Sequence, residues 1–451
     1  MKSLRFAWRA AALAAAVACT LPAQAALFED DEARKAILDF LASAFPGVAD
    51  PAWRKLASVL PTVPGAARAM GLSQPTDPAT AALLNGYAGH ALDFDDVHSS
   101  VRGHPGTVLL PALFALADVQ QSTALELLDA YIVGVEVMAR IGLALGSKHY
   151  ETGFHNTATL GPLGAAAACA RLLKLDADSI ANALGLAATQ ASGLRLQFGS
   201  EAKPLHAGLA ARAGLFAAQL AQAGLQGARR SLDAPIGFLD AYSFGAADAQ
   251  RAITDWGQPW QIVSPGLYFK PYACCTATHY AADAALALRA EHGLQASDIA
   301  SVRVTFPLGG DAPLTVTDPT NGLEGRFSIE YVLAGALVDG QLRLSLFDEQ
   351  PARADLRAFG RCVVRAYDTQ APRASTDPQS RFSTVEITLH NGTQLARTVR
   401  GLRSAQDLNA KYADTTGRQP AALRDVPALV QRMQSAADLR QLTALFSLVQ
   451  P

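Results

Sequence analysis

From about residue 32 to residue 235 the chain repeats one local pattern: apolar residues at helical spacing, opened by capping residues and rich in Ala and Gly. Asp77-Pro78 places a capping carboxylate ahead of a proline at the first helical position, and Leu83, Leu84, Tyr87, Ala88 and Leu92 follow. Thr123-x-x-Glu126 forms a capping box before the stripe Leu127, Tyr131, Ile132, Val135, Met138 and Ile141. Further helices are predicted over about 159–174, 178–191 and 204–224. The texture changes near Gly266. One more helix (about 276–292) precedes period-two alternation at Val302, Val304, Phe306 and at Val385, Ile387, Leu389, where Asn391-Gly392 supplies a hairpin turn before Leu395 to Val399. A helical segment around Ile329 to Leu337 lies between these strands, and Pro427 to Phe446 reads as helix again. The pattern predicts a mainly α protein with an α+β lid: a helical domain over 27–266, the lid over 267–402, and a helical segment over 403–451 that returns to the first domain.

At 451 residues the chain exceeds one compact core. Charged residues make up 17% and the formal charge is −2, so nothing global points to nucleic acid. The N-terminus has the layout of a secretory signal: Lys2, Arg5 and Arg9, then the apolar run Ala10 to Leu21, then small residues at Ala23-Gln24-Ala25. Cleavage of residues 1–25 and a periplasmic or secreted protein are expected. The alternative is a retained amphipathic helix in a cytoplasmic enzyme. Downstream of that run no apolar stretch is long enough to cross a bilayer, so no membrane partner is expected of the mature form. The cysteines Cys19, Cys169, Cys274, Cys275 and Cys362 include no C-x-x-C and no tight Cys/His cluster. No cofactor and no metal is expected, and the vicinal Cys274-Cys275 pair reads as buried thiols, because a vicinal bridge is strained.

Four positions share a context at predicted helix starts. His104 precedes Pro105, His155 precedes Asn156-Thr157, Lys203-Pro204-Leu205-His206 opens an Ala-rich helix, and His279 lies in the first turn after Thr276. Helix N-termini present unpaired N–H groups and a positive dipole end, which suit carboxylates. Each alone reads more readily as an ordinary cap or core histidine; together they suggest a pocket for a compact polyanion. Asp93-Phe94-Asp95-Asp96 does the reverse, placing three carboxylates where the helix dipole disfavours them. A raised pKa there suits a proton carrier, whereas Asp95 and Asp96 also fit a solvated acidic turn. Spacing does not choose among the three.

The segments NGYAGHALDFDDVH, GHPGTVLLPALFALAD, GFHNTATLGPLGAAAA, EAKPLHAGLAARAG, YFKPYACCTATH and RFSIEYVLAGALVDG resemble, in order, the signature blocks of the MmgE/PrpD family. That family includes 2-methylcitrate dehydratase, cis-aconitate decarboxylase and iminodisuccinate epimerase. The resemblance implies a metal-independent lyase acting on a small polycarboxylic acid, and a homodimer. It puts the family's catalytic-region aspartate at Asp93, its histidines at His104 and His155, its KPLH lysine at Lys203 and its lid tyrosine at Tyr331. Lys270, His279 and His206 fall at substrate-binding positions. Two departures stand out: Val97 replaces a threonine of the decarboxylase branch, and the Asp93-to-His104 spacing is one residue longer. The family's first helix is missing, or replaced by the signal-like segment.

These parts suit proton transfer at a carbon next to a carboxylate. His104 and His155 are the leading acid/base pair, Asp93 orients one of them, Lys203 and Lys270 hold carboxylates, and Tyr331 donates to a leaving group. Dehydration of a hydroxy-tricarboxylate of the 2-methylcitrate type, a hydro-lyase reaction, is the first expectation. Epimerisation of an acid such as iminodisuccinate and decarboxylation of cis-aconitate follow. A non-catalytic periplasmic polycarboxylate-binding protein is the alternative of another class.

Overall fold

A computed structural model describes residues 9–19, 27–61, 63–228, 230–348, 351–373 and 381–450. Lys2, Arg5 and Ala23-Gln24-Ala25 of the signal-like segment lie outside the described residues. The chain divides into two compact units. One comprises residues 1–195, 204–269 and 405–451, and the other residues 196–203 and 270–404.

The first unit is helical. In chain order its helices are α1 (Arg9–Cys19), α2 (Leu27–Gly47), α3 (Pro51–Val59), α4 (Pro78–Ala91), α5 (Gly106–Gln120), α6 (Ala124–Leu145), α7 (Lys148–Glu151), α8 (Asn156–Leu172), α9 (Ala177–Ala188), most of α10 (Ala202–Gln222), and α11 (Phe238–Ser243). Asp77 caps α4 and the Thr123/Glu126 box caps α6, as their sequences require. Helix α4 is buried on every side from Thr80 to Ala91. It is enclosed by α2 and α5, while α8 packs on α5 and α6. Backbones approach closely at glycines: a Cβ on Gly208 of α10 would stand 2.3 Å from the Leu83 carbonyl oxygen of α4, and one on Gly86 2.7 Å from the Gly208 Cα. Short strands β1 (Pro64–Ala67), β2 (Val97–His98) and β3 (Leu267–Tyr268) decorate this unit, with Val97 paired to Tyr268.

The apolar N-terminal run is a packed helix in this structure. Leu13, Ala14 and Val17 of α1 are buried against α8 and α9, and the Arg171 guanidinium, paired with Asp129, donates to the Val17 and Ala18 carbonyls. No described helix is long and apolar enough to cross a membrane.

The second unit is α+β. Its elements are α12 (Thr276–His292), β4 (Ile299–Pro307), α13 (Gly322–Gly325), α14 (Ile329–Val338), α15 (Ala354–Gly360), β5 (Val363–Asp368), β6 (Phe382–Leu389) and β7 (Gln394–Arg400). The sheet order is β5-β4-β6-β7, with β4 parallel to β5 and antiparallel to β6. Helix α12 covers β6 and β7. The sequence pattern misses β5, an edge strand whose buried and open positions do not alternate cleanly. The mixed architecture, a mainly helical unit plus a small α+β one, is the fold class expected from the pattern.

The C-terminal stretch belongs to the helical unit as α16 (Leu408–Thr416), α17 (Val426–Arg432) and α18 (Ala436–Ala444). The single helix expected over 427–446 is broken, because Ser435 and Asp438 form a capping box that starts a new helix. Cys169, Cys274 and Cys275 are buried thiols outside any disulfide, and Cys362 is a half-buried one.

Candidate active site

Helix α4 ends at Ala91, and Asp93 turns the chain with a left-handed backbone (φ 50°) that aspartate tolerates better than most residues. That turn sends the following carboxylates back into the bundle. Asp95 and Asp96 are therefore not a solvated acidic turn: they are 0% and 2% exposed.

Asp95 lies between two imidazoles. His90 Nδ1 is 2.9 Å from both of its oxygens, and His104 Nδ1 is 3.3 Å from Oδ2. His104 Nδ1 also stands 2.9 Å from the Asp96 carbonyl oxygen. Burial alone would raise the Asp95 carboxyl, but His90 and His104 beside it outweigh that and hold it well below the usual carboxylate range. An ionised Asp95 only accepts hydrogen bonds, so each imidazole donates from Nδ1. Nε2 is then the nitrogen at which each ring gains or loses a proton.

Asp96 behaves oppositely. Burial, with the charges of Asp39 and Asp95, pushes its carboxyl well above the ordinary value. Its oxygen accepts the Gly106 N–H at 2.9 Å and so caps α5 from ten residues upstream. The raised value expected of this turn is found at Asp96 alone, and its cause is burial and neighbouring negative charge rather than the helix dipole.

His155, the residue before α8, continues the array. Its ring stacks on His90 at 6.1 Å between centroids, and its Nδ1 lies 3.0 Å from Nδ1 of His206 on α10. Two Nδ1 atoms at that distance require one to donate and the other to accept, so the pair cannot carry two charges with this contact intact. Around the start of α8, Thr157 Oγ1 accepts the His104 N–H and Asn156 Nδ2 donates to the Val101 carbonyl, tying the two histidine-bearing turns together. His149 Nδ1 donates to the Tyr242 carbonyl; burial lowers its pKa to about 4, so the ring stays neutral and its Nε2 accepts from Thr159 Oγ1.

His90, Asp93, Asp95 and His104 each offer a donor atom within 4.8 Å of the others, and all four are buried. Their number and type would suit a divalent cation. The imidazole–carboxylate hydrogen bonds already account for the closeness of His90, Asp95 and His104.

The remaining sequence-derived positions belong to the second unit. Lys203 is 4% exposed, with its ammonium 5.4 Å from the ring centroids of both Phe198 and Phe327. Lys270 is fully buried. His279 Nε2 lies 3.1 Å from the Cys274 carbonyl oxygen, and its ring meets the edge of Tyr272, whose hydroxyl donates to Asp283. The Tyr331 hydroxyl accepts the Arg353 N–H at 3.2 Å, and burial raises its pKa.

The structure thus brings His104, His155, His206 and Asp93 into one helical unit, while Lys203, Lys270, His279 and Tyr331 lie in the other. Sequence reasoning missed His90 and Asp95 as partners of His104. The available signal was the i, i+5 spacing across the end of α4, which carries little weight before the turn is known.

The MmgE/PrpD N-terminal domain matches residues 10–250, and the MmgE/PrpD C-terminal domain matches residues 272–403. The first match begins inside α1. Cis-aconitate decarboxylase of Aspergillus terreus is 31% identical over 342 residues, covering 71% of this chain and 69% of that protein. Cis-aconitate decarboxylase of Homo sapiens is 29% identical over 389 residues, covering 82% and 79%.

Proposed function

The chain belongs to the MmgE/PrpD family of enzymes, and from that premise we propose that it is a lyase that moves a proton at a carbon flanked by carboxylates in a small polycarboxylic acid. The observation that carries this reading is Asp95 held ionised between His90 and His104, with His155 stacked beyond. His90 and His104 each keep Nδ1–H on the carboxylate and leave Nε2 as the basic nitrogen, the arrangement that general acid/base chemistry near neutral pH needs. His104 is proposed as the group that exchanges the proton with substrate, and His155 as its partner. Carboxylate binding by Lys203 and Lys270, and roles for His279 and Tyr331, are proposed on the family resemblance alone.

Decarboxylation of cis-aconitate is the first reaction to test, because relatives of that name cover most of this chain. Loss of carbon dioxide leaves an electron pair on carbon, which takes up one proton from Nε2 of the imidazolium and leaves the neutral imidazole. Dehydration of a 2-methylcitrate-like acid is the second reading, favoured by Val97 where the decarboxylase branch has threonine. It uses the same histidines to remove a carbon-bound proton and to protonate the departing hydroxide. Incubation with both acids in deuterated water separates them. A decarboxylase gives an unsaturated dicarboxylate carrying solvent deuterium, and a dehydratase gives an unsaturated tricarboxylate. No consumption of either acid, or of citrate, would overturn the lyase reading and favour a binding protein.

A further inference from the structure

We infer that Lys411, in the C-terminal stretch of the chain, is a positioning residue for the His90–Asp95–His104 array, which it sets by gripping Phe94 inside the acidic turn. The inference rests on reading that array as the proton-transfer centre. Lys411 sits on α16 and is 8% exposed. Its ammonium donates to the Phe94 carbonyl at 2.7 Å, from 317 residues away in sequence, and stands 3.8 Å from the centroid of the Phe94 ring. The same nitrogen pairs with Asp39 Oδ1 of α2 at 2.6 Å.

Phe94 is the hinge of the turn. Asp93 precedes it with a left-handed backbone, and Asp95 and Asp96 follow with the carboxylate and the carbonyl that accept from His104 Nδ1. A rotation of the Phe94 peptide would therefore carry both acceptors away from the imidazole. Three attachments resist it: the Lys411 hydrogen bond, the cation over the ring, and the Gly106 N–H on Asp96. Asp39 supplies the counter-charge that allows an ammonium to be buried there. Besides α5, the turn is thus held by α16 and, through Lys411, by α2, two elements at opposite ends of the chain and outside all six signature blocks.

The test compares the full-length protein with Lys411→Met, Lys411→Arg and the double variant Asp39→Asn/Lys411→Met. Thermal midpoint, turnover of the acid that the wild type consumes, and nitrogen NMR of labelled histidines are measured, with His90 and His104 signals assigned through His90→Gln and His104→Gln. The double variant removes the buried carboxylate charge that Lys411 no longer offsets and should recover the midpoint lost in Lys411→Met. Its turnover should stay down by at least about tenfold, as small misplacements of a catalytic group cause, with KM changed much less than kcat. The His90 and His104 nitrogen shifts should differ from wild type in both Met-bearing variants, and Lys411→Arg should restore part of the shift and of the turnover. A folded double variant with wild-type shifts for both rings would overturn the inference and leave Lys411 a structural ion pair. Should the wild type consume no acid, the proposed function fails, while the shift comparison still decides whether Lys411 sets the array.

Discussion

His104 draws its chemistry from two neighbours that accept at one nitrogen: the Asp95 carboxylate and the Asp96 carbonyl. Replacing Asp95 with asparagine keeps the shape but removes the charge, and an amide can turn its NH2 group toward the imidazole and reverse the tautomer. Turnover in Asp95→Asn and in His104→Ala should fall by about 10²–10⁴-fold, the usual contribution of a general acid or base; steady-state rates on the acid consumed by the wild type check this. The two carboxyls also carry opposite pH signatures. Asp95 is depressed by folding, so its contribution to stability is present above the unfolded pKa of about 3.9 and is lost as pH falls through the lower folded value. Asp96 is raised, so its contribution is present below that unfolded value and is lost as pH rises toward the folded one. Asp96→Asn mimics the protonated acid and keeps an oxygen for the Gly106 N–H. Its thermal midpoint relative to wild type should therefore climb as pH is raised from 4 toward 8, whereas Asp95→Asn should be less stable than wild type at neutral pH. Melting curves across that range test both signs.

Helices α4, α5, α8 and α10 position the array, and their mutual distances depend on small residues. A methyl group on Gly208 would meet the Leu83 carbonyl, a backbone atom that cannot step aside. Gly208→Ala should push α10 from α4, the helices that carry His206 and His90, at a cost of about 1–3 kcal/mol, as overpacking does in close-packed interiors. Chemical denaturation should show a lowered midpoint with an unchanged slope. The α5 start is equally constrained: a Cβ on Gly106 would lie 2.4 Å from Asp96 Oδ1, so the cap and the glycine come as a pair. Helix α1 illustrates the other use of an apolar run. Its signal-like composition is spent here on packing Leu13, Ala14 and Val17 against the bundle. Deleting residues 9–19 from the full chain should uncover that face of α8 and α9 and lower the thermal midpoint by several degrees.

The molecule is assembled discontinuously. Residues 405–451 return to the helical unit after the α+β unit has been made, and α17 packs on α2 while α18 reaches α5 and α6. A chain truncated after residue 404 loses the Lys411 partner of Asp39 along with those contacts. It should show no cooperative melting transition by circular dichroism, even though every signature block is still present. Ligand binding acts at the same scale: an acid that binds only the folded chain should stabilise it by about 2.7 kcal/mol at a hundred times its dissociation constant, readable as a thermal shift.

Local chemistry fixed a good part of this in advance. Asp77-Pro78, the Thr123/Glu126 box and Asn391-Gly392 act over a few residues, so helices, hairpin and the mainly α class could be read directly, and the ordered blocks around His104, His155 and Lys203 identified the family. The edge strand β5 escaped because its positions do not alternate cleanly, and the break at Ser435 because the apolar spacing of 427–446 runs on across the Ser435/Asp438 capping box. Tertiary structure alone decided which carboxylate of the 93–96 turn stays charged, that His90 shares it, and that a lysine from the far end of the chain holds the turn. Burial and Coulomb interactions act through space, and residues that meet only after folding leave no mark on one another in the sequence.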